Sequence, residues 1–171
     1  LVGSEMCIRD RYPACSKDMN FEPEVAVVMG RIAKNVTVEN AMDYVLGFTC
    51  VNDVTLRDLQ GIDPTWTRAK GFDTSCPLGP WIVMRDDLDW KDAKISFTLN
   101  GEDVPMASGT TANLIHGIPE QIAAISSFST LLPGDVIMTG TPNASGHLDP
   151  GDETIVHVEG IGDLRNVIVR A

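Results

Sequence analysis

The chain is poor in aromatic residues, at 6%. It has no apolar run near the ~18 residues that a membrane-crossing helix needs. Positive charge is scarce too: 13 Lys and Arg stand against 24 Asp and Glu, a formal net charge of −11. Nucleic acids and anionic membranes reward clustered Lys and Arg, so neither is expected as a partner. The acid excess favours solubility and leaves carboxylates for a cation. The four cysteines, Cys7, Cys15, Cys50 and Cys76, show neither a C-x-x-C spacing nor a histidine at zinc-finger distance. No secretory pattern opens the chain, so reduced thiols in a cytoplasmic protein are expected rather than a disulfide framework. Repeats, linkers and low-complexity tracts are absent. What remains is 171 residues, 43% hydrophobic and 22% charged, enough for one domain with a proper core. The 15 glycines and 10 prolines suggest many turns between short strands.

Residues 1–11, LVGSEMCIRDR, show neither strand alternation nor helical amphipathicity. They resemble translated adapter sequence at the ends of metagenomic reading frames, the alternative being an ordinary frayed terminus. They are set aside as a non-native leader, and residues 12–171 are read as a single domain.

Residues 25–29 (VAVVM) form a β-branched run closed by Gly30 and read as a buried strand. Thr37 is placed to cap a helix on which Val38, Ala41, Met42, Val45 and Leu46 share a face, with Gly47 ending it. Strand character returns at 48–54. Residues 55–68, with Pro64, read as a short helix and a loop. Strands are expected at 81–84 and 95–99, and Asn100-Gly101 signals a hairpin into 104–106. Pro119 suits the first turn of a helix burying Ile122, Ile125, Phe128 and Leu132. After the Pro133-Gly134-Asp135 turn come strands at 136–139, 154–159 and 164–169. Many strands and about two helices predict an α+β fold dominated by mixed β-sheet.

The sharpest local feature is Phe21-Glu22-Pro23-Glu24, which leads straight into the VAVVM strand. Side chains at i and i+2 share a strand face, so two carboxylates repel each other beside a buried strand. A proton or a hard divalent cation relieves that repulsion; two independent, solvated acids are the simpler alternative. Asp53, at the end of another apolar strand, adds a third acid. Taken together, EPEVAVVMGR, GFTCVNDVTLRDLQ, KGFDTSCPLGPWIV and LLPGDVIMTGTP resemble the fumarylacetoacetate hydrolase family, in its order and spacing, across nearly all of residues 13–171.

The resemblance implies the mixed-sheet β-roll of that family's C-terminal catalytic domain, of the short bacterial type. It also implies a Mg²⁺ site (Mn²⁺ or Ca²⁺ in some members) on Glu22, Glu24 and Asp53. Substrate contacts fall on Gln60, Lys70 and Thr141, with Thr74 close by and Lys70 as the catalytic group. The family's reactions are C–C hydrolysis, isomerisation and decarboxylation of small 2-oxo acids or 2-hydroxy-dienedioates through a metal-stabilised enolate, often in aromatic-compound catabolism. Its members are usually homodimers. The sequence departs from the family in three ways. The upstream N-Y-x-x-H-x-x-E pattern that supplies a His–Glu base has no match, and the three histidines lie in other contexts: His116 and His157 are expected to be structural or exposed, and His147, beside the G-T-P loop, is the nearest alternative base. Asn143-Ala144-Ser145-Gly146-His147 replaces the familiar G-V-G after G-T-P. No Gln follows the Asn100-Gly101-Glu102 turn. The first departure and the odd leader together lead us to expect a reading frame truncated upstream. The expected function is thus a metal-dependent oxo-acid enzyme of this family. Its rivals are a non-catalytic fragment that binds metal and ligand, and a structural subunit that pairs with a catalytic partner.

Overall fold

The computed structural model describes residues 9–171. In chain order these form β1 (Arg9–Tyr12), β2 (Met19–Phe21), β3 (Pro23–Met29), β4 (Val45–Asn52), β5 (Thr55–Leu56), α1 (Arg57–Gln60), α2 (Thr67–Lys70) and β6 (Leu78–Met84). There follow β7 (Lys94–Leu99), β8 (Glu102–Asp103), β9 (Gly109–Thr110), α3 (Ile118–Phe128), β10 (Val136–Met138), β11 (Gly146–Leu148), β12 (Glu153–Val158) and β13 (Gly162–Arg170).

The VAVVM run lies in β3, all of whose residues are buried. β3 sits inside a four-stranded sheet ordered β10-β3-β4-β6, and a six-stranded sheet, β1-β13-β12-β7-β8 with β9 on β7, packs against it. Phe48, Phe97, Met29, Ile95 and Ile168 fill the space between them. A third sheet, β11-β2-β5, continues beyond one end of the four-stranded sheet. The expected α+β, mostly β architecture is the one found.

Three segments pass from the four-stranded sheet to the three-stranded one at the same place. β2 becomes β3 at Glu22, β4 becomes β5 through Asp53, and β10 leads to β11 through residues 139–145. This junction places the functional side chains.

Several expectations are corrected. Residues 38–46 do not form a helix: a single 3-10 turn, Ala41–Tyr44, runs directly into β4. The Tyr44 carbonyl, which a helix would direct at residue 48, instead accepts the Gly30 N–H at 2.7 Å, so sheet pairing overrides the helical spacing. The Asn100-Gly101 hairpin forms with both residues at positive φ, but its return strand is Glu102–Asp103, and Pro105 opens a 3-10 turn because it has no N–H for a ladder. α3 buries Ile118, Ile122 and Ser126, whereas Phe128 and Leu132 are exposed. Residues 9–11, set aside as leader, form β1 with Tyr12 and pair in parallel with β13 from Arg9↔Val167 to Tyr12↔Arg170. The rest of the leader, with Cys7, lies outside the described residues, among which Cys15 and Cys50 are thiols.

Candidate active site

The sheet junction is closed by its own backbone. The Glu22 N–H donates to Asn52 Oδ1 at 2.8 Å, and the Glu22 carbonyl accepts the Asp53 N–H at 2.9 Å. Glu24, in β3 opposite Val51 of β4, then points to the same place as Glu22 and Asp53. One carboxylate oxygen from each of the three acids lies within 4.8 Å of the others, and all three residues are buried. The spacing argument from Glu22 and Glu24 is therefore realised, with Asp53 as the third member.

Positive charge faces this cluster from two short helices. Lys70, the last residue of α2, donates from Nζ to Glu22 Oε2 at 2.6 Å and also to Asp53 Oδ2. Arg57, the first residue of α1, donates from Nη2 to Glu22 Oε1 at 2.6 Å. Glu24 has no cationic partner among the described residues. Its Oε2 accepts the Gly140 N–H at 2.7 Å, and burial, with the Asp53 and Glu22 charges added, pushes its carboxyl up to about 8. Burial also raises the Asp53 carboxyl, although its hydrogen bond with Lys70 works the other way. For Lys70 burial opposes the charge, but the hydrogen bonds to Asp53 and Glu22 outweigh it and hold the ammonium above its ordinary value.

Two oxygens at the junction are buried and unpartnered: Asp53 Oδ1 and Thr141 Oγ1. An anionic acceptor without a donor is costly, and three oxygen-donor carboxylates suit a hard divalent cation. The residues present therefore fit the cation that the motifs imply. Gln60, at the other end of α1, accepts from Arg57 Nη1 at 2.6 Å, so it stands at the site's edge. Thr141 follows Gly140 on the junction-crossing loop. Thr74 Oγ1 accepts the Arg11 N–H at 2.7 Å.

Three contributors escaped the sequence reading. Arg57 stood inside a quoted motif without a role, although its i, i+3 spacing to Gln60 puts both on one side of a helical turn. Ser145 Oγ lies 2.6 Å from Arg57 Nη2. Gln121 of α3 donates to the Thr139 carbonyl at 3.0 Å and to the His116 carbonyl at 2.9 Å, steadying the strand end just before Gly140. Nothing in the local sequence marks these two, because their partners are 88 and 18 residues away. No described histidine hydrogen-bonds to the cluster. His147 pairs with Asp18 at 3.0 Å and His157 with Asp163 at 2.6 Å.

Known proteins resemble the chain over most of its length. Residues 1–169 match the family described as fumarylacetoacetate (FAA) hydrolase C-terminal. The chain is 41% identical over 153 residues to the 4-hydroxyphenylacetate degradation bifunctional isomerase/decarboxylase of Salmonella dublin, covering 88% of this chain and 35% of that one. Its fold is similar to that of 5-carboxymethyl-2-hydroxymuconate delta-isomerase from Mycobacterium smegmatis, with a TM-score of 0.91, 43% identity, and coverage of 96% of this chain and 64% of that one. It is also similar to a fumarylpyruvate hydrolase from Pseudomonas aeruginosa in complex with Mn²⁺ and pyruvate, with a TM-score of 0.89, 28% identity, and coverage of 96% and 72%. The chain spans 60–66% of the length of three curated relatives that are 45–46% identical to it.

Proposed function

Because the chain belongs to the fumarylacetoacetate hydrolase C-terminal family, we propose that it binds Mg²⁺ or Mn²⁺ on Glu22, Glu24 and Asp53. We propose further that it acts there on a small 2-oxo acid or 2-hydroxy-dienedioate. The observation that carries this reading is the buried three-carboxylate cluster, with Asp53 Oδ1 unpartnered and Glu24 in no ion pair among the described residues. A bound divalent cation would supply Lewis acidity toward two oxygens of such an acid, favouring loss of a neighbouring proton or carbon substituent.

The chain's own side chains supply the rest. Lys70 Nζ carries a positive charge at the cluster and holds protons that it can donate to oxygens that become negative during reaction. The Thr141 hydroxyl, buried without a protein partner, has a hydrogen bond to give to a ligand oxygen. Arg57 and Gln60 present hydrogen-bonding groups at the edge. Hydrolysis, isomerisation and decarboxylation all share this proton and charge management, so the cluster alone does not choose among them. A cytoplasmic homodimer belongs to the same proposal.

A second reading, binding without efficient turnover, is favoured by the engagement of His147 and His157 with Asp18 and Asp163 rather than with the cluster. One series separates the two. Oxalate, a planar two-oxygen chelator, is expected to bind in calorimetry only when Mn²⁺ is present, and Lys70→Ala to weaken it by about 1–3 kcal/mol. Turnover of oxaloacetate or an acylpyruvate then supports the enzyme, and its absence supports the binding fragment. Metal-independent oxalate binding overturns both.

A further inference from the structure

The loop that replaces the familiar G-V-G carries a hydroxyl, and its surroundings hold that hydroxyl in place. On one side of Ser145, the Ala144 N–H donates to the Met106 carbonyl at 2.9 Å. On the other, Gly146 begins β11 opposite Phe21, so closely that a Cβ there would lie 2.6 Å from the Phe21 ring. That ring is itself stacked on Phe97 with centroids 4.2 Å apart. One residue further, His147 Nδ1 stands 3.0 Å from Asp18 Oδ1. Ser145 is thus fixed by both its neighbours and by the residue after them, and its Oγ lies 2.6 Å from Arg57 Nη2.

Arg57 has five N–H bonds. Three go to Glu22 Oε1, Ser145 Oγ and Gln60 Oε1. The other two have no protein partner among the described residues, and the side chain is one-third exposed. Any cation drawn to Glu22 competes with Arg57 for the same carboxylate. Ser145 and Gln60 are then the acceptors that keep the guanidinium at the edge of the site. Both are neutral, so they hold the group without cancelling its charge. A long arginine side chain otherwise loses rotamer freedom when it is ordered by a ligand. The G-V-G loop offers no side-chain acceptor for this task.

We infer that Ser145 is a positioning residue that holds the Arg57 guanidinium ready for an anionic group of the ligand, raising the affinity of the cation-loaded site for oxo acids. The inference rests on the function proposed above. It is tested by titrating oxalate, with and without saturating Mn²⁺, into the full chain, Ser145→Ala, Ser145→Thr, Arg57→Met and the Ser145→Ala/Arg57→Met double variant. Ser145→Ala is expected to weaken Mn²⁺-dependent oxalate binding roughly 5- to 10-fold, in the range of an ordinary intramolecular hydrogen bond, with unchanged Mn²⁺ affinity. Ser145→Thr should restore it. In the Arg57→Met background the serine change should cost nothing more, a result that a merely structural role would not give. Oxalate binding by Ser145→Ala within twofold of the parent, or an equal loss with and without Arg57, overturns this inference alone. Failure of the parent to bind oxalate with Mn²⁺ overturns the proposed function and this inference with it.

Discussion

Lys70 brings one ammonium to both Glu22 and Asp53. Removing it leaves two buried acids facing each other. Lys70→Met is therefore expected to lower metal-free stability by about 1–3 kcal/mol, with Mn²⁺ recovering much of the loss. Urea denaturation in EDTA and in Mn²⁺ checks both halves. Glu24 behaves differently because it is in no ion pair among the described residues. Its carboxyl titrates near 8 when folded and near 4.5 when unfolded, so the unfolded chain gives up the proton first as pH rises. The stability Glu24 contributes is complete below about 4.5 and is lost as pH climbs to about 8. Glu24→Gln keeps an oxygen for the Gly140 N–H and cannot ionise. In EDTA it should flatten the pH dependence of the melting temperature across that window and be the more stable protein above it. It should also lose the Mn²⁺ response. A parallel pH profile in parent and variant would sink the assignment of the raised group to Glu24.

At the level of elements, the paired strands β4 and β6 crowd each other at Gly47 of β4, where an added Cβ would stand 2.1 Å from the Val83 carbonyl oxygen of β6. Backbone cannot step aside as a flexible side chain can, so Gly47→Ala should cost at least 1–3 kcal/mol, read from the midpoint of chemical unfolding. Sequence patterns located most strands, since β3, β7, β12 and β13 carry β-branched or alternating runs whose burial follows from residue type. They also marked Glu22 and Glu24, because repulsion between acids two residues apart beside an apolar strand is a local property, whereas Asp53 joined them only through the family resemblance. Residues 38–46 misled for a physical reason. Helical spacing is satisfied there on paper, with Ala41 and Val45 buried, but the Tyr44 carbonyl is claimed by Gly30 across the sheet. β2, β5 and β11 were illegible because two or three residues hold no period. Their pairing creates the junction, and with it the Ser145–Arg57 contact, which no local window contains.

For the whole molecule, a cation that binds only the folded chain stabilises it by mass action, about 2.7 kcal/mol at a hundred times Kd. For a chain of this size each kcal/mol is worth roughly 2–4 °C. Saturating Mn²⁺ should therefore raise the melting temperature by about 5–11 °C over EDTA, and a scan that shows no rise counts against the site. The net charge of −11 adds a general attraction for cations, which a Glu24→Gln control separates from specific binding. The parallel pairing of β1 with β13 has a mechanical consequence. Held at residues 9 and 171 and drawn apart, the two strands are pulled in opposite directions along their common axis, so they must slide past each other. Force then falls on all the ladder bonds from Arg9↔Val167 to Tyr12↔Arg170 together, where an antiparallel pair gripped at one end would open bond by bond. Traction from those two points should meet its resistance at this seam, ahead of any strain on the sheet junction that holds the three carboxylates.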